Sequence, residues 1–354
     1  MQNFLRRIPK SFMLLVVLLM LVRIFLPTIC LYIINKGLDE KLGTYVGRIE
    51  DFDLALYRGA YELQGLTIKK RNSDLPPFVT IQEINLSLAW RALFKKELAG
   101  DVIITNLVAQ IADSKNKNQR QTGAEEDQKN WQDALGLLIP MSIESFRVRT
   151  SAVHFTNRDF KEPIPVSLEK IDLVATGIRT KAKNSESPFH LKAELQKHAS
   201  LWLRGTWDLL SNPPRIDADF SLTEFRFNSV NTLLRSYIPI DITSGTLDIY
   251  GEGAMNKGRA KGYVKVFFKD GDIVAPKQKF ISAKHFLIEI AVAFGNWLLK
   301  NNKTKKVSAE IPFEYNGQKL NVDGSDIFWS AVENSDGKLK PELNNSISLR
   351  SVSP

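Results

Sequence analysis

Apolar and polar residues alternate along most of this chain with the two-residue period of β-strands. Between Arg48 and Leu56, the side chains of Phe52, Leu54 and Leu56 stand at every second position with charges between them. Tyr57-Arg58-Gly59 reads as a turn, and Tyr61, Leu63, Leu66 and Ile68 follow, with Gly65 marking a bulge. Ile81, Ile84, Leu86 and Leu88 repeat the pattern, as do Leu168, Ile171 and Leu173. Further strands are expected around 98–105, 107–113, 145–157, 189–196, 199–207, 214–223, 245–254, 259–269 and 305–315, about fourteen in all. The segments 48–56, 80–88 and 167–175 share the form apolar-x-x-apolar-Asp/Asn-Leu. That is consistent with a repeating β unit, although any alternating strand has a similar look.

Other segments break the alternation. Phe12 to Ile34 is an apolar run in which Arg23 is the only charge. As a helix it is roughly 34 Å long, enough for a ~30 Å hydrocarbon core. Residues 114–129 are polar without periodicity and read as a flexible loop. A short helix is expected at 130–139, ended by Pro140, and another near Ile327–Glu333. At 282–300, Phe286, Ile290, Phe294 and Trp297 form one stripe of an amphipathic helix, which suits a core helix on a sheet or a membrane-lying lid. The tail from 334 to 354 is rich in Ser and Asn and reads as loosely ordered.

Charge gives the apolar run a direction. Arg6, Arg7 and Lys10 precede it, so the positive-inside rule keeps residues 1–11 cytoplasmic and sends the rest across the membrane. A cleaved signal peptide would need a small-x-small site after its apolar core, and none follows. Ile29 precedes Cys30, which does not suit a lipoprotein site. The run is read as an uncleaved anchor at 12–34. Arg23 near its middle either snorkels to the interface, helped by a kink at Pro27, or meets a headgroup or partner helix.

Composition adds little specific chemistry. With 44% hydrophobic and 25% charged residues the chain has the means to form a core. Net charge is +9, and beyond residue 23 it falls to +5 (44 Lys and Arg against 39 Asp and Glu), too mild to argue for nucleic acid. Cys30 is the single cysteine, which excludes an intramolecular disulfide. His154, His190, His198 and His285 show no metal-ligand spacing. No nucleotide-binding, nucleophile-elbow or zinc-protease motif occurs, so neither catalytic residues nor a cofactor or metal is expected.

Residues 47–68, running Gly47-Arg48-Ile49-Glu50-Asp51-Phe52-Asp53-Leu54 and on to Gly65-Leu66-Thr67-Ile68, resemble the opening β-hairpin of AsmA-like proteins. The branch they resemble is a bacterial one known only as a domain of unknown function. Leu26-Pro27 in the anchor agrees with that family. So do Pro77-Phe78 ahead of Leu86-Ser87-Leu88-Ala89-Trp90, and Ser244-Gly245-Thr246-Leu247-Asp248-Ile249-Tyr250 ahead of Gly262-Tyr263-Val264-Lys265. The resemblance is collinear to about residue 333, specific at 47–68 and 244–270 and looser between. It implies a bacterial inner-membrane anchor, a periplasmic body over 35–333, and a curled, groove-like antiparallel sheet. Larger relatives are similar to bridge-like lipid-transfer proteins, so phospholipid is the implied ligand, with possible envelope protein partners.

The expected architecture is therefore mainly β with a few helices: one N-terminal transmembrane helix, a curled antiparallel sheet and an amphipathic helix near the C-terminus. Phe52, Leu54, Leu56, Ile84, Leu86 and Leu88 are candidate lining residues of a lipid groove. The same alternation would also suit a sealed sandwich. A protein-binding scaffold without lipid is the alternative function, and a hydrolase with a dispersed site a distant third.

Overall fold

The computed structural model describes residues 10–55, 59–88, 99–122, 142–159, 165–179, 186–208, 211, 213–226, 241–274, 306–321 and 339–352. The expected helices at 130–139, 282–300 and 327–333 lie outside these, as do Arg6, Arg7 and Leu56.

One long helix, α1 (Lys10–Lys41), leads into the sheet. It contains Pro27 and runs seven residues beyond the expected end of the apolar run at Ile34. The strands follow as β1 (Tyr45–Arg48), β2 (Asp51–Ala55), β3 (Ala60–Lys70), β4 (Val79–Leu88), β5 (Ala99–Asp113), β6 (Ser142–Asn157) and β7 (Val166–Arg179). Then come β8 (Ser187–Leu195), β9 (Ala199–Asp208), β10 (Arg215–Arg226), β11 (Asp241–Asn256), β12 (Arg259–Val274), β13 (Lys306–Tyr315) and β14 (Leu320–Asn321). All belong to one sheet in sequence order, except that β1 and β2 both pair with β3. The chain is mainly β behind one helix, as the alternation predicts. The sheet is long and uncurled to weakly curled.

The sheet is antiparallel, as expected, at every named pairing but one: β5 and β6 pair in parallel. A parallel neighbour needs a crossover rather than a hairpin, and residues 114–141 supply it. The first part of that crossover is pinned, against the expectation of a flexible loop. Gln121 pairs with Ala112 and its side-chain amide donates to the carbonyls of Pro76 and Gln110. Lys70 Nζ donates to the carbonyls of Lys117 and Arg120. The Asp159 carboxylate accepts from Ser114 Oγ and Lys115 N–H, and these bonds, the Lys115 N–H first, hold its pKa below the usual carboxylate value.

A seam of positive-φ residues crosses the sheet, with Gly65 in β3, Asn106 in β5, Thr150 in β6 and Lys170 in β7. The register is unchanged across it in the β3–β4, β4–β5 and β5–β6 pairings, while β6–β7 and β7–β8 shift there. Leu63 and Leu66, three apart, are both buried in one core cluster, as are Ile84 and Ile81 opposite them. This gives the recurring apolar-x-x-apolar spacing a physical meaning in β4 and β7: it is the pattern of a strand crossing the seam. Glycine suits position 65 because its φ is +65°.

Candidate functional site

Residues paired directly across neighbouring strands project to the same face. Following the registers from β2 gives one row: Phe52, Leu63, Ile84, Ile104, Val148, Leu173, Leu191, Leu203, Phe220, Gly251, Val264 and Ile311. Every member is apolar or glycine. A parallel row beside it includes Leu54, Tyr61, Leu86, Val102, Phe146, Ala175 and Phe189. The twelve strands of this row, β2 to β13, span roughly 50–55 Å at ~4.8 Å per strand. One face of the sheet is thus a continuous apolar track across that length.

Phe52, Leu54, Ile84 and Leu86 all lie on this face, and Leu88 shares it because it alternates with Leu86 in β4. What pattern reading missed is the other end of the track. The strands β7 to β10 were legible, but which of their two faces joins Ile84 depends on the register shifts at β6–β7 and β7–β8 and on the parallel step.

The track changes character along its length. Near α1 it is covered: Leu63 is 1% exposed, Leu86 and Val102 2% each. Cys30, Leu31, Ile34 and Leu38 of α1, with Leu42 just beyond it, pack against this cluster. Gly47 lets the helix come close, for a Cβ there would lie 3.1 Å from that of Leu38. Asn35 fixes the approach, since its amide donates to the carbonyl of Ile49 at 3.0 Å and accepts from the Ile49 N–H at 2.7 Å. Arg71 closes the joint from β3, pairing with Asp39 at 2.7 Å and donating to the carbonyls of Asp39 and Gly43. Burial among these side chains pushes the Tyr61 phenol up to about 12, so its hydroxyl stays neutral at ordinary pH.

Further along, Leu173, Leu191, Leu203 and Phe220 occupy four successive strands and are each only half-buried. Beside them Phe189 and Trp207 stack at 4.3 Å between ring centres.

The opposite face is polar. Between β4 and β9 it presents Glu83, Arg149, Lys192 and Arg204, with Arg204 paired to Asp219 at 3.0 Å and resting over Trp202. Toward β12 the tail covers it. The Glu252 carboxylate accepts the Tyr263 hydroxyl at 2.6 Å and the successive N–H groups of Asn345, Ser346 and Ile347. Lys265 Nζ donates to the Glu342 carbonyl at 2.7 Å and to Asn344 Oδ1 at 2.6 Å, while Asp217 accepts the Leu349 N–H. Residues 339–352 are therefore docked, not loose as their composition suggests.

Among the described residues, one helix is long and apolar enough to cross a membrane, Met13–Lys41, and its first half carries exposed Ile24 and Phe25. Arg23 is exposed on it, and Lys10 begins α1. No three His, Cys, Asp or Glu side chains among the described residues come together as a metal site. No protein-family model matches the chain, and no curated protein matches it either.

Proposed function

We propose that this chain is a membrane-anchored lipid-binding protein whose apolar track holds phospholipid acyl chains. In this reading α1 is an uncleaved anchor in the bacterial inner membrane, with Arg6, Arg7 and Lys10 on the cytoplasmic side and the sheet in the periplasm. The resemblance of residues 47–68 and 244–270 to AsmA-like proteins favours that compartment, and a role in phospholipid transfer or outer-membrane homeostasis. No catalytic group, cofactor, metal or nucleic acid enters the reading.

One observation carries the proposal. The apolar row begins beneath the foot of the helix and continues without a polar interruption to β13, its side chains only half-buried at β7–β10. A chain leaving a bilayer beside α1 would meet apolar surface at each step. Leaving acyl CH2 groups in water costs ~0.8 kcal/mol each, so an apolar track of this length is a favourable place for them.

The test is the lipid content of the purified full-length chain. Extraction in mild detergent followed by mass spectrometry should find bound phospholipid. Leu191→Glu with Leu203→Glu should lower it severalfold while circular dichroism keeps the β signal. A folded wild-type chain that carries no lipid, and cross-links to envelope proteins instead, would favour a scaffold.

A further inference from the structure

We propose that the polar face of β10–β12 is a peptide-binding site, filled in this structure by the chain's own tail and able to take the same segment from a second copy. The site lies on the opposite face from the apolar track and does not depend on what that track holds.

The receptor groups read main chain. Glu252, 1% exposed, receives three consecutive backbone N–H groups, and Asp217 receives a fourth at Leu349. Lys265, 4% exposed, donates to the backbone carbonyl of Glu342. Asn345 turns the tail through the left-handed region at φ 52°, which lets successive N–H groups converge on one carboxylate. Side chains add register. Asn344 bridges Lys265 and Glu310, and its own N–H reaches the Tyr263 hydroxyl at 2.6 Å. Val352, 6% exposed, is an apolar end stop.

A carboxylate buried to this degree is costly without partners, and the tail supplies most of them. Glu252 is thus built to be occupied by a polypeptide backbone. The connection from β14 to the tail, residues 322–338, spans at most ~60 Å when extended. On the anchor reading proposed above, a second copy held beside the first in the same membrane would come within that reach. Cis and trans tails would make identical contacts, so the balance between them is set by effective concentration.

The experiment uses the full-length chain in phosphatidylcholine vesicles. One population carries a photoreactive amino acid in place of Ile347 and one affinity tag; the other is unmodified and carries a second tag. Irradiation after mixing should give a product with both tags, its linkage mapping to 215–274 of the second copy. Excess synthetic peptide of residues 339–352 should suppress that product, and Glu252→Gln in the accepting copy should reduce it at least about tenfold. Linkages confined to one copy, or a two-tag product unaffected by excess peptide, would overturn the proposal. Loss of lipid binding would leave this result unchanged, so the two proposals fail separately.

Discussion

The chain lays two of its own segments on the sheet, one on each face and near opposite ends. Beside α1, the chain covers its apolar face: Cys30, Leu31, Ile34 and Leu38 press on Leu63, Ile84 and Leu86. At the far end it covers its polar face, where the tail lies across Glu252, Tyr263 and Lys265. Apolar contact holds the first joint, with Asn35 setting its register. Main-chain hydrogen bonds to buried charge hold the second. Between them, at β7–β10, neither cover reaches fully, and the apolar row is only half-buried on four strands in succession. The difference teaches where the molecule spends its own segments on closing a surface and where it leaves one available.

The sharpest way to break the comparison is to truncate the same row at both places. Leu63→Ala beneath the helix should cost about 3 kcal/mol, because a fully buried leucine leaves a cavity. Leu203→Ala on β9 should cost about 1 kcal/mol, since its side chain is only half-buried. Denaturant titration of each variant checks the contrast. Equal costs would mean that the middle of the track is as tightly packed as its root.

Glu252→Gln should come next, with local loss of about 2 kcal/mol at the tail. Hydrogen exchange should show Asn345, Ser346 and Ile347 deprotected while β11 and β12 stay protected. The same contact has a pH signature. Burial alone would raise the Glu252 pKa, but the Tyr263 hydroxyl and the three N–H groups outweigh it and leave the pKa lowered. A lowered carboxylate stabilises fully above the ordinary value of about 4.3 and loses that contribution as pH falls through the folded value. Tail protection should therefore persist at pH 5 and be lost only as pH falls below about 4.3. Asp217 acts against this trend. Its pKa is raised, chiefly by burial, so its own protonation on acidification relieves a cost.

Asn35→Ala should cost about 1–2 kcal/mol by removing two partly buried hydrogen bonds at the helix joint. Its readout is faster exchange of the Ile49 amide, with the tail unaffected. The smallest effect belongs to an exposed pair between the two ends. Lys170 and Glu194 meet at 2.8 Å, yet Lys170→Ala should change stability by no more than about 0.5 kcal/mol, because solvent screens them.

Strand positions were legible because a one-sided sheet enforces alternation, and β3, β4 and β8 to β13 fall close to the expected windows. The face was legible only locally. Phe52, Leu54, Ile84 and Leu86 share one side through hairpin pairing, but joining them to Leu191 and Leu203 requires the registers from β4 through the parallel β5–β6 step to β9. Gly65 marks a positive-φ position, but the β3–β4 register runs through it unshifted, so the expected bulge is not there. The parallel β5–β6 step was hidden because a polar connection does not disclose which way the next strand runs. The tail misled for a related reason. Its order comes from Glu252 and Lys265, some eighty to ninety residues earlier in the chain, and not from its own composition.

The central claim is that acyl chains reach the half-buried middle of the track. It is tested most directly by photo-cross-linking the full-length chain in vesicles containing phosphatidylcholine with a diazirine on its acyl chain, then mapping adducts by mass spectrometry. The account predicts adducts on α1 and on β7–β10, among them peptides holding Leu173, Leu191, Leu203 and Phe220, with the polar-face segment 339–352 unlabelled. Adducts confined to α1, with none on the strands, would contradict it.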